Sequence, residues 1–522
     1  MSSILTHSPA LVMALPLLAA FLTPVVGRFN RKILGWFISV ILGLTLGITI
    51  LMAIQILTNG SMIYVFGGSE AGLTLPSGYT VPIRIIFHID AMGIFMGLIT
   101  AVVSFLAAIY SLSFMQKESG LEKYYALLLL LATGMFGMEF TGDIFNFFVF
   151  LEIASISSVA LIAFRSTLSG EPAEAGYKYM VVSSISALMV LFAVGLFYGQ
   201  YDVLNMATIA SVMQFTQLDK IALILLVTVL SMKAGSVPMH MWTPDAYSEA
   251  PAAITMVLVA ASQASLYALF RVCFSLYNIS LNTVTIGWII IILGVLSMFI
   301  GVTMAIIQKD IKRLMAYHAI SQTGYMLLGV GVGLAVLANP VALDSFGIKA
   351  MEGSIFHIMN HAMYKGLLFL TAGALFYRTG TRDLNKMGGL ANNMFYTTIF
   401  FIIGAAAIAG IPPFNGFASK LIIYESVYKF NPLLSIIAML VSILTLASFV
   451  KVFHSAFLGP KLEQYKKVQE VPKSMLFAMA TLACIIVLFG LFPDVIVKNL
   501  VHPAVMALIN QTNYTATILG GI

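Results

Sequence analysis

Charged side chains are scarce in this sequence. Asp, Glu, Lys and Arg make up only 9% of the 522 residues, whereas a typical soluble domain has about 25%. Hydrophobic residues make up 60%, which is more apolar surface than a water-soluble fold could bury. A membrane-spanning helix needs about 20 apolar residues, and such runs recur here with short polar joints between them. The composition therefore excludes a soluble fold and predicts a bundle of helices in lipid.

Cysteine is almost absent, and a dense basic run is missing too. Cys273 and Cys484 are the only two cysteines, and they lack the spacing of a metal or iron–sulfur site. We therefore expect no cofactor and no metal in this chain, and any redox chemistry must lie on another subunit. The formal charge of +6 does not indicate nucleic-acid binding, because membrane orientation explains the basic loops better. No basic residue precedes the apolar run of residues 1–28, so we interpret it as a retained first span.

Apolar runs separated by turn residues predict fourteen helices. They lie near residues 8–26, 33–57, 92–114, 122–140, 143–164, 176–199, 220–240, 251–276, 284–307, 311–336, 354–377, 395–425, 432–457 and 474–494. Polar residues and a proline interrupt the last segment, 499–522, which we interpret as an interfacial tail. The predicted fold class is an all-α integral membrane protein with about 14 transmembrane helices.

Basic residues gather in alternate loops. The rich loops hold Arg28, Arg31 and Lys32; Lys117 and Lys123; Arg165; Lys309, Lys312 and Arg313; Arg378, Arg382 and Lys386; and Lys461, Lys466, Lys467 and Lys473. By the positive-inside rule these loops face the cytoplasm, which places both termini outside the cell membrane. The connection from Trp242 to Ala250 falls on the same side without any Lys or Arg, a mild exception.

Several ionisable side chains interrupt the apolar helices. They are Glu152, Lys233, the His357, His361 and Lys365 series with its spacing of four, Lys420 with Glu425 about a turn beyond it, and His318 with Gln322. A charge near the bilayer centre costs about 2.5–3.5 kcal/mol on translocon scales. A single such group could simply be bonded to a neighbouring helix or lie near the interface. Three lysines are harder to explain in this way, because a buried ammonium must find a carboxylate or give up its proton.

Proline and glycine surround two of these lysines. Lys233 precedes the sequence AGSVP, and Lys420 follows GIPPFNG, which begins at Gly410. Since proline removes a backbone donor, we expect both helices to be broken within the membrane. Two matched broken helices, each with a lysine at its break, are typical of inverted-repeat transporters. A kink that only improves packing is the alternative. Glu152 and Lys233 are the preferred ion pair.

Four motifs resemble the signature of a known family. They are Lys233–Pro251 (KAGSVPMHMWTPDAYSEAP), Asp310–Gly324 (DIKRLMAYHAISQTG), His357–Leu370 (HIMNHAMYKGLLFL) and Gly410–Lys420 (GIPPFNGFASK). In this order they resemble the antiporter-like subunits shared by respiratory complex I, Mrp-type cation/proton antiporters and membrane-bound energy-converting hydrogenases. The sequence is most similar to the D-type subunit of Mrp antiporters and its counterpart in archaeal hydrogenase-like complexes.

The resemblance implies two inverted five-helix repeats, each with a discontinuous helix. Residues 1–121 would form helices 1–3, residues 122–276 and 284–457 the two repeats, and residues 458–522 helix 14 and the tail. It also implies roles for individual residues. Glu152 and Lys233 would be the coupling pair of the first half, His357, His361 and Lys365 the connecting relay, and Lys420 the terminal lysine, with His318 auxiliary. From its position near Lys420, Glu425 is a candidate accessory residue, as is Gln263.

Gln263 departs from the family pattern, because many relatives have lysine at this position. A glutamine carries no proton charge, so the link between the halves must use water, His240 or His357, or the protein must conduct less than its relatives.

The leading hypothesis is an ion-translocating subunit that moves protons, with sodium exchange as a variant. Its partners would be other membrane subunits, including redox subunits with Fe–S or NiFe centres if the complex is redox-driven. The alternatives are a scaffold with lost or reduced transport and a quinone- or hydrogen-metabolising redox subunit. Whether the complex is an enzyme stays open, as does the choice between protons and sodium. Asp90, Glu139 and Asp143 lie near helix ends, where we expect carboxylates to cap helices or face water.

Overall fold

The computed structural model describes residues 5–67, 72–74, 80–82, 84–165, 170–278 and 282–519. Long helices dominate these residues. The first six are α1 Ser8–Phe29, α2 Arg31–Asn59, α3 Ala91–Phe114, α4 Leu121–Phe140, α5 Ile144–Ile162 and α6 Glu171–Tyr201. The next six are α7 Met206–Val212, α8 Gln217–Lys233, α9 Trp242–Glu249, α10 Ala252–Phe270, α11 Thr283–Ile307 and α12 Ile311–Ala335. The last seven are α13 Ile348–Thr379, α14 Phe395–Ala409, α15 Asn415–Phe430, α16 Pro432–Phe453, α17 Lys473–Leu491, α18 His502–Ile509 and α19 Gln511–Leu519.

Two small two-stranded antiparallel sheets follow α2 in the chain. The strands are β1 Met62–Val65, β2 Gly72–Thr74, β3 Thr80–Pro82 and β4 Ile86–Ile89. β1 pairs with β4, with Met62 opposite Ile89, and β2 pairs with β3. We name the end of the bundle formed by β1, β4 and α19 the hairpin end. The opposite end, which carries residues 309–313 and Arg382, is named the basic end.

Nine helices in the described part of the chain are long and apolar enough to cross a membrane, judged by length and composition alone. They begin at Ser8, Ile33, Ala91, Ile144, Glu171, Ala252, Thr283, Pro432 and Lys473. The remaining predicted spans correspond to α4, α8, α12, α13 and the α14/α15 pair. These helices are shorter or more polar, and they carry Lys233, His318, His361 and Lys420. The prediction of a helical membrane protein with many apolar spans is therefore confirmed.

Two predicted helices are interrupted, and one predicted boundary was wrong. The helix expected over 220–240 ends already at Lys233 and resumes as α9 at Trp242. The helix expected over 395–425 consists of α14 and α15, separated by residues 410–414. Proline and glycine in both gaps account for the interruptions, because proline has no backbone N–H to donate.

The tail was expected at the membrane interface, but its helices pack onto the bundle. α18 and α19 bury Val505, Leu508 and Ile518, and the side-chain amide of Gln511 donates to the carbonyl oxygens of Ser275 and Leu276 at 3.0 and 3.1 Å. The polar side chain of Gln511 therefore contacts the bundle, which composition alone could not distinguish from a residue at the membrane interface.

The three carboxylates near helix ends behave differently from one another. Asp90 and Asp143 cap α3 and α5, accepting from the backbone N–H of Gly93 and Asn146 at 2.9 and 2.7 Å, as expected. Glu139 neither caps a helix nor faces water, because its side chain is fully buried between helices. The expectation for Glu139 was wrong.

Candidate functional site

Lys233 ends α8 in the interior of the bundle, with only 4% of its surface exposed. Its ammonium donates to three hydroxyl oxygens, those of Ser155 at 2.8 Å, Ser183 at 3.0 Å and Tyr179 at 3.2 Å. Ser155 belongs to α5, and Tyr179 and Ser183 are one turn apart on α6. All three ammonium hydrogens therefore have partners, although none of these partners carries a charge.

Glu152, the predicted partner of Lys233, lies on α5 three residues before Ser155. The two side chains are close enough to interact electrostatically, but they form no ion pair within 4.0 Å among the described residues. Glu152 Oε1 is buried and has no hydrogen-bond partner in the described part of the chain. The structure thus places Glu152 and Lys233 near each other, but the hydrogen bonds of the Lys233 ammonium go to hydroxyl groups.

The gap between α8 and α9 depends on a glycine. Gly235 has a φ of +75°, and a Cβ there would lie 2.7 Å from the hydroxyl oxygen of Thr243, so both conformation and space require glycine. The backbone N–H of Val237 donates to Ser297 Oγ at 2.9 Å, which satisfies a group that the break leaves free. His240 lies in the same gap, and its Nδ1 is buried without a partner within the described residues.

α9 is anchored at the basic end. Asp245 accepts from Lys178 at 2.8 Å and from Arg313 at 2.7 Å, and Glu249 accepts from Arg382 at 2.9 Å. Lys312 donates to the carbonyl oxygen of Ala250. The connection without basic residues therefore contains carboxylates that pair with the basic loops, which explains its exceptional composition.

Lys420 lies on the second turn of α15 and is 1% exposed. Its ammonium reaches back across the break, donating to the carbonyl oxygen of Ile408 at 2.7 Å and to Ser442 Oγ at 3.0 Å. It also lies 4.7 Å from the ring centroid of Tyr325. Like Lys233, this ammonium is held by oxygen atoms without a charge.

The second break is closed by direct backbone contact. A Cβ at Gly416 would lie 1.9 Å from the carbonyl oxygen of Ala407, so α15 can approach α14 only with glycine there. The amide of Asn360 donates to the Asn415 carbonyl oxygen at 2.9 Å, and the Asn415 amide donates to Asn360 Oδ1 at 3.0 Å. These two asparagines connect the break to α13.

α13 carries the predicted relay, and His357, His361 and Lys365 are all at most 2% exposed. His357 Nδ1 lies 2.9 Å from the hydroxyl of Ser419, the neighbour of Lys420. His361 Nδ1 lies 2.7 Å from the amide nitrogen of Gln263 on α10. The relay helix therefore contacts both halves, at Gln263 in the first and beside Lys420 in the second.

Lys365 and His318 complete the interior set. Lys365 donates to the carbonyl oxygen of Met315 on α12. His318, also on α12, is fully buried with Nε2 2.7 Å from Ser448 Oγ, and both Lys365 and Lys420 act on it electrostatically. We name Glu152, Lys233, His318, His357, His361, Lys365 and Lys420 the buried row; Glu152 is half-buried, and the other six are buried.

Glu425 does not join the buried row. Its side chain is exposed on the surface of the described chain, whereas Lys420 points inward. A separation of five residues places two side chains on nearly opposite helix faces, since a turn takes about 3.6 residues. The predicted accessory role therefore finds no geometric support.

Sequence reasoning missed the polar side chains that hold the buried row. They are Ser155, Tyr179, Ser183, Tyr364, Ser419, Ser442 and Ser448. Gln322, already grouped with His318 from the sequence, has its side-chain oxygen 3.2 Å from His357 Nε2. Serine is frequent in membrane helices, where its hydroxyl can bond the backbone one turn earlier. Only the spacing of Tyr179 and Ser183 by one turn gave a signal.

The arrangement is that of a multi-pass integral membrane protein with ionisable groups in its interior. A family model described as "NADH:quinone oxidoreductase/Mrp antiporter, TM" matches residues 141–445, more than half of the chain. A second model, "NADH-Ubiquinone oxidoreductase (complex I), chain 5 N-terminus", matches residues 76–125. The chain belongs to the antiporter-like family of membrane subunits found in complex I, Mrp antiporters and archaeal respiratory membrane complexes.

Individual relatives cover nearly all of the chain. The A subunit of the Na(+)/H(+) antiporter of Alkalihalophilus pseudofirmus is 28% identical over 95% of this chain, which spans only 62% of that relative's length. The N subunit of the NADH-quinone oxidoreductase of Desulforudis audaxviator is 29% identical over 95% of this chain and 98% of that relative. A chain of the membrane-bound sulfane sulfur reductase, an archaeal respiratory membrane complex, is 28% identical with a TM-score of 0.83, covering 98% of this chain and 99% of that one.

Proposed function

We propose that this chain is an ion-translocating membrane subunit of a multisubunit complex and carries protons along the buried row. The observation that supports this most is the pair of buried lysines, each at the break of an interrupted helix and each held by uncharged oxygens. An ammonium in this setting is balanced only weakly, so a nearby charge can decide whether it keeps its proton. Such a group can pass protons between two sides of a bundle.

The architecture supports the finer version of this proposal. We infer fourteen spans, with residues 122–276 and 284–457 as two inverted repeats that each contain one broken helix. Residues 1–121 and 458–522 would flank them, both termini outside the cell membrane. Within the buried row, the relay residues of α13 lie between Gln263 on α10 and Ser419 beside Lys420 on α15, which suits transfer along the membrane plane between two half-channels.

The ion and the driving force follow from the partners. Relatives are named as Na(+)/H(+) antiporter and NADH-quinone oxidoreductase subunits, so the complex is either an Mrp-type antiporter, with this chain in the D-type position, or a redox-driven complex. In the first case protons would be exchanged for sodium. In the second, partner subunits would carry the redox centres.

Ion uptake into sealed vesicles that hold the intact complex tests the proposal. Lys233→Ala should abolish uptake at parental assembly, because no other group on α8 can carry the proton at the break. The matched control is Lys220→Ala, since Lys220 is exposed on the same helix. Uptake that needs a sodium gradient favours the antiporter, and uptake that needs an electron donor favours the redox-driven complex. Parental uptake by the Lys233→Ala complex would leave the chain a scaffold.

A further inference from the structure

Glu139 is a buried carboxyl group outside the buried row. It lies on the last turn of α4 and is 0% exposed. The hydroxyl of Thr100 donates to its Oε1 at 2.7 Å, while Oε2 is buried without a partner in the described part of the chain. No lysine, arginine or histidine nitrogen of the described residues lies within ion-pair distance of it. An unpaired buried carboxylate costs several kcal/mol, so this group is expected to hold a proton.

A polar chain leads from the backbone carbonyl of Glu139 toward the hairpin end. The hydroxyl of Tyr267 donates to the Glu139 backbone oxygen at 2.9 Å, and Nε of Arg271 donates to the Tyr267 hydroxyl at 3.0 Å. Arg271 forms a buried ion pair with Asp90. At Gly93 the absent side chain leaves the Glu139 carbonyl oxygen and Asp90 Oδ1 3.0 and 3.5 Å from the Cβ position. The backbone carbonyl oxygen of Glu139 and the carboxylate of Asp90 therefore both border the space that Gly93 leaves open.

Asp90 opens onto a cavity at the hairpin end. The cavity has a volume of about 240 Å³ and is lined by His88, Asp90, Asn510, Asn513 and Tyr514 among others. His88 is 4% exposed, and neither of its ring nitrogens has a partner within the described residues. Burial lowers the pKa of His88 to about 4, with Asp90 raising it and Arg271 lowering it. The imidazole is thus neutral at pH 7 and adds no charge beside Asp90.

The same chain connects back to the buried row through α10. Gln263, Tyr267 and Arg271 follow one another at intervals of four and therefore share a helix face. Gln263 contacts His361 of the relay, Tyr267 contacts the backbone oxygen of Glu139, and Arg271, which directly follows α10, pairs with Asp90. This face consequently runs from the relay to Asp90, which lines the cavity.

We propose that Glu139 is a further proton-carrying site, exchanging its proton with water at the hairpin end through the cavity lined by His88 and Asp90. The step breaks the O–H bond of the carboxylic acid, leaves a carboxylate on Glu139 and delivers the proton to cavity water; a proton from the relay side restores the acid. One carboxyl group and one hydroxyl supply too few oxygens for a metal-ion cage, so the carried ion is a proton. The inference rests on the proposed function and adds to it an outlet, which is a route for protons from the bundle to the hairpin end.

Infrared difference spectroscopy of the intact complex tests the protonation directly. The parent should show the carbonyl stretch of a protonated carboxylic acid, and Glu139→Gln should remove it. Thr100→Val keeps the acid and removes only its hydrogen bond, so the band should move to higher frequency. Glu425→Gln, at an exposed carboxylate, should leave the band unchanged. A band that persists in Glu139→Gln would overturn the assignment.

Transport separates this inference from the proposed function. Glu139→Gln should slow ion uptake on the order of 100-fold, the low end for loss of a positioned proton-transfer group, and Glu139→Asp should recover part of the rate. If the Glu139→Gln complex takes up ions at the parental rate while the Lys233→Ala complex takes up none, the proposed role of Glu139 is overturned and the proposed function is not. A parent complex that moves no ions would overturn the proposed function instead.

Discussion

The side-chain amide of Gln263 donates to Nδ1 of His361 across 2.7 Å and joins α10 to α13. The side-chain nitrogen of Gln263 also lies 2.9 Å from the carbonyl oxygen of Ile358, which can only accept a hydrogen bond. The amide is therefore oriented with its NH₂ group toward both acceptors. Nδ1 of His361 must offer a lone pair, which assigns the ring hydrogen to Nε2. Gln263 thus fixes the tautomer of a relay histidine although it carries no proton charge itself.

Gln263→Leu should lower coupled ion uptake. Removing the donor leaves His361 Nδ1 buried without a partner, which costs about 1–3 kcal/mol, or roughly tenfold or more in rate if the loss falls on the transfer step. Gln263→Lys should keep the parental rate or exceed it, because an ammonium can donate to the same two acceptors. Uptake rates of the three complexes at equal assembly decide the matter, and a Leu variant as fast as the parent would refute the positioning role.

Lys420→Ala should abolish uptake while Lys429→Ala should not. Both lysines lie on α15, but Lys420 is 1% exposed and Lys429 is on the exposed face. Loss of Lys420 removes the only ammonium at the second break in the described structure, whereas Lys429 bears no relation to it. Uptake into sealed vesicles measures both variants. Equal rates for the two would show that the second half does not carry the ion.

The burial of ionisable residues could be predicted from the sequence because lipid excludes unpaired charge. The positions of Lys233, His361 and Lys420 were predicted on that ground, and the structure buries each of them. Their partners were not readable, since Ser155 and Ser442 are placed by helix packing rather than by any local pattern. Physical reasoning therefore found the charged groups and missed the neutral oxygens that hold them.

Helix boundaries also depend on packing that the sequence does not show. Proline and glycine after Lys233 predicted a break. The residues at which α8 ends and α9 begins depend on tertiary contacts, such as the hydrogen bond between Val237 and Ser297. The failure with Glu139 has a related cause. A position near a helix end suggests exposure, yet α3 and α10 cover it, and only the packed structure reveals this.

Gly416→Ala should destabilise the complex. A Cβ would lie 1.9 Å from the carbonyl oxygen of Ala407, and overpacking of this kind costs about 1–3 kcal/mol or more. Gly195→Ala is the matched control, because a Cβ there meets nothing within 4 Å. The melting midpoint and the yield of assembled complex should fall for Gly416→Ala only. Equal midpoints would show that the two helix pieces can separate without loss.

His88 should make stability depend on pH below neutrality. Burial lowers its pKa from 6.5 to about 4 in the folded chain, so an unfolded chain binds the additional proton between these values. Stability should therefore decline as pH falls from about 6.5 to about 4, since the state that binds more protons gains. At higher pH the residue is neutral in both states and contributes no slope.

His88→Phe should flatten this decline. The ring nitrogens have no partners to lose in the described structure, and an aromatic ring preserves the contact with Tyr514, whose centroid lies 4.8 Å away. The melting midpoint of the variant should match the parent at pH 7.5 and exceed it at pH 5. His454→Phe is the control, because His454 is exposed and its replacement should leave the pH profile unchanged. Parallel profiles for the parent and His88→Phe would show that protonation of the His88 imidazole does not cause the decline.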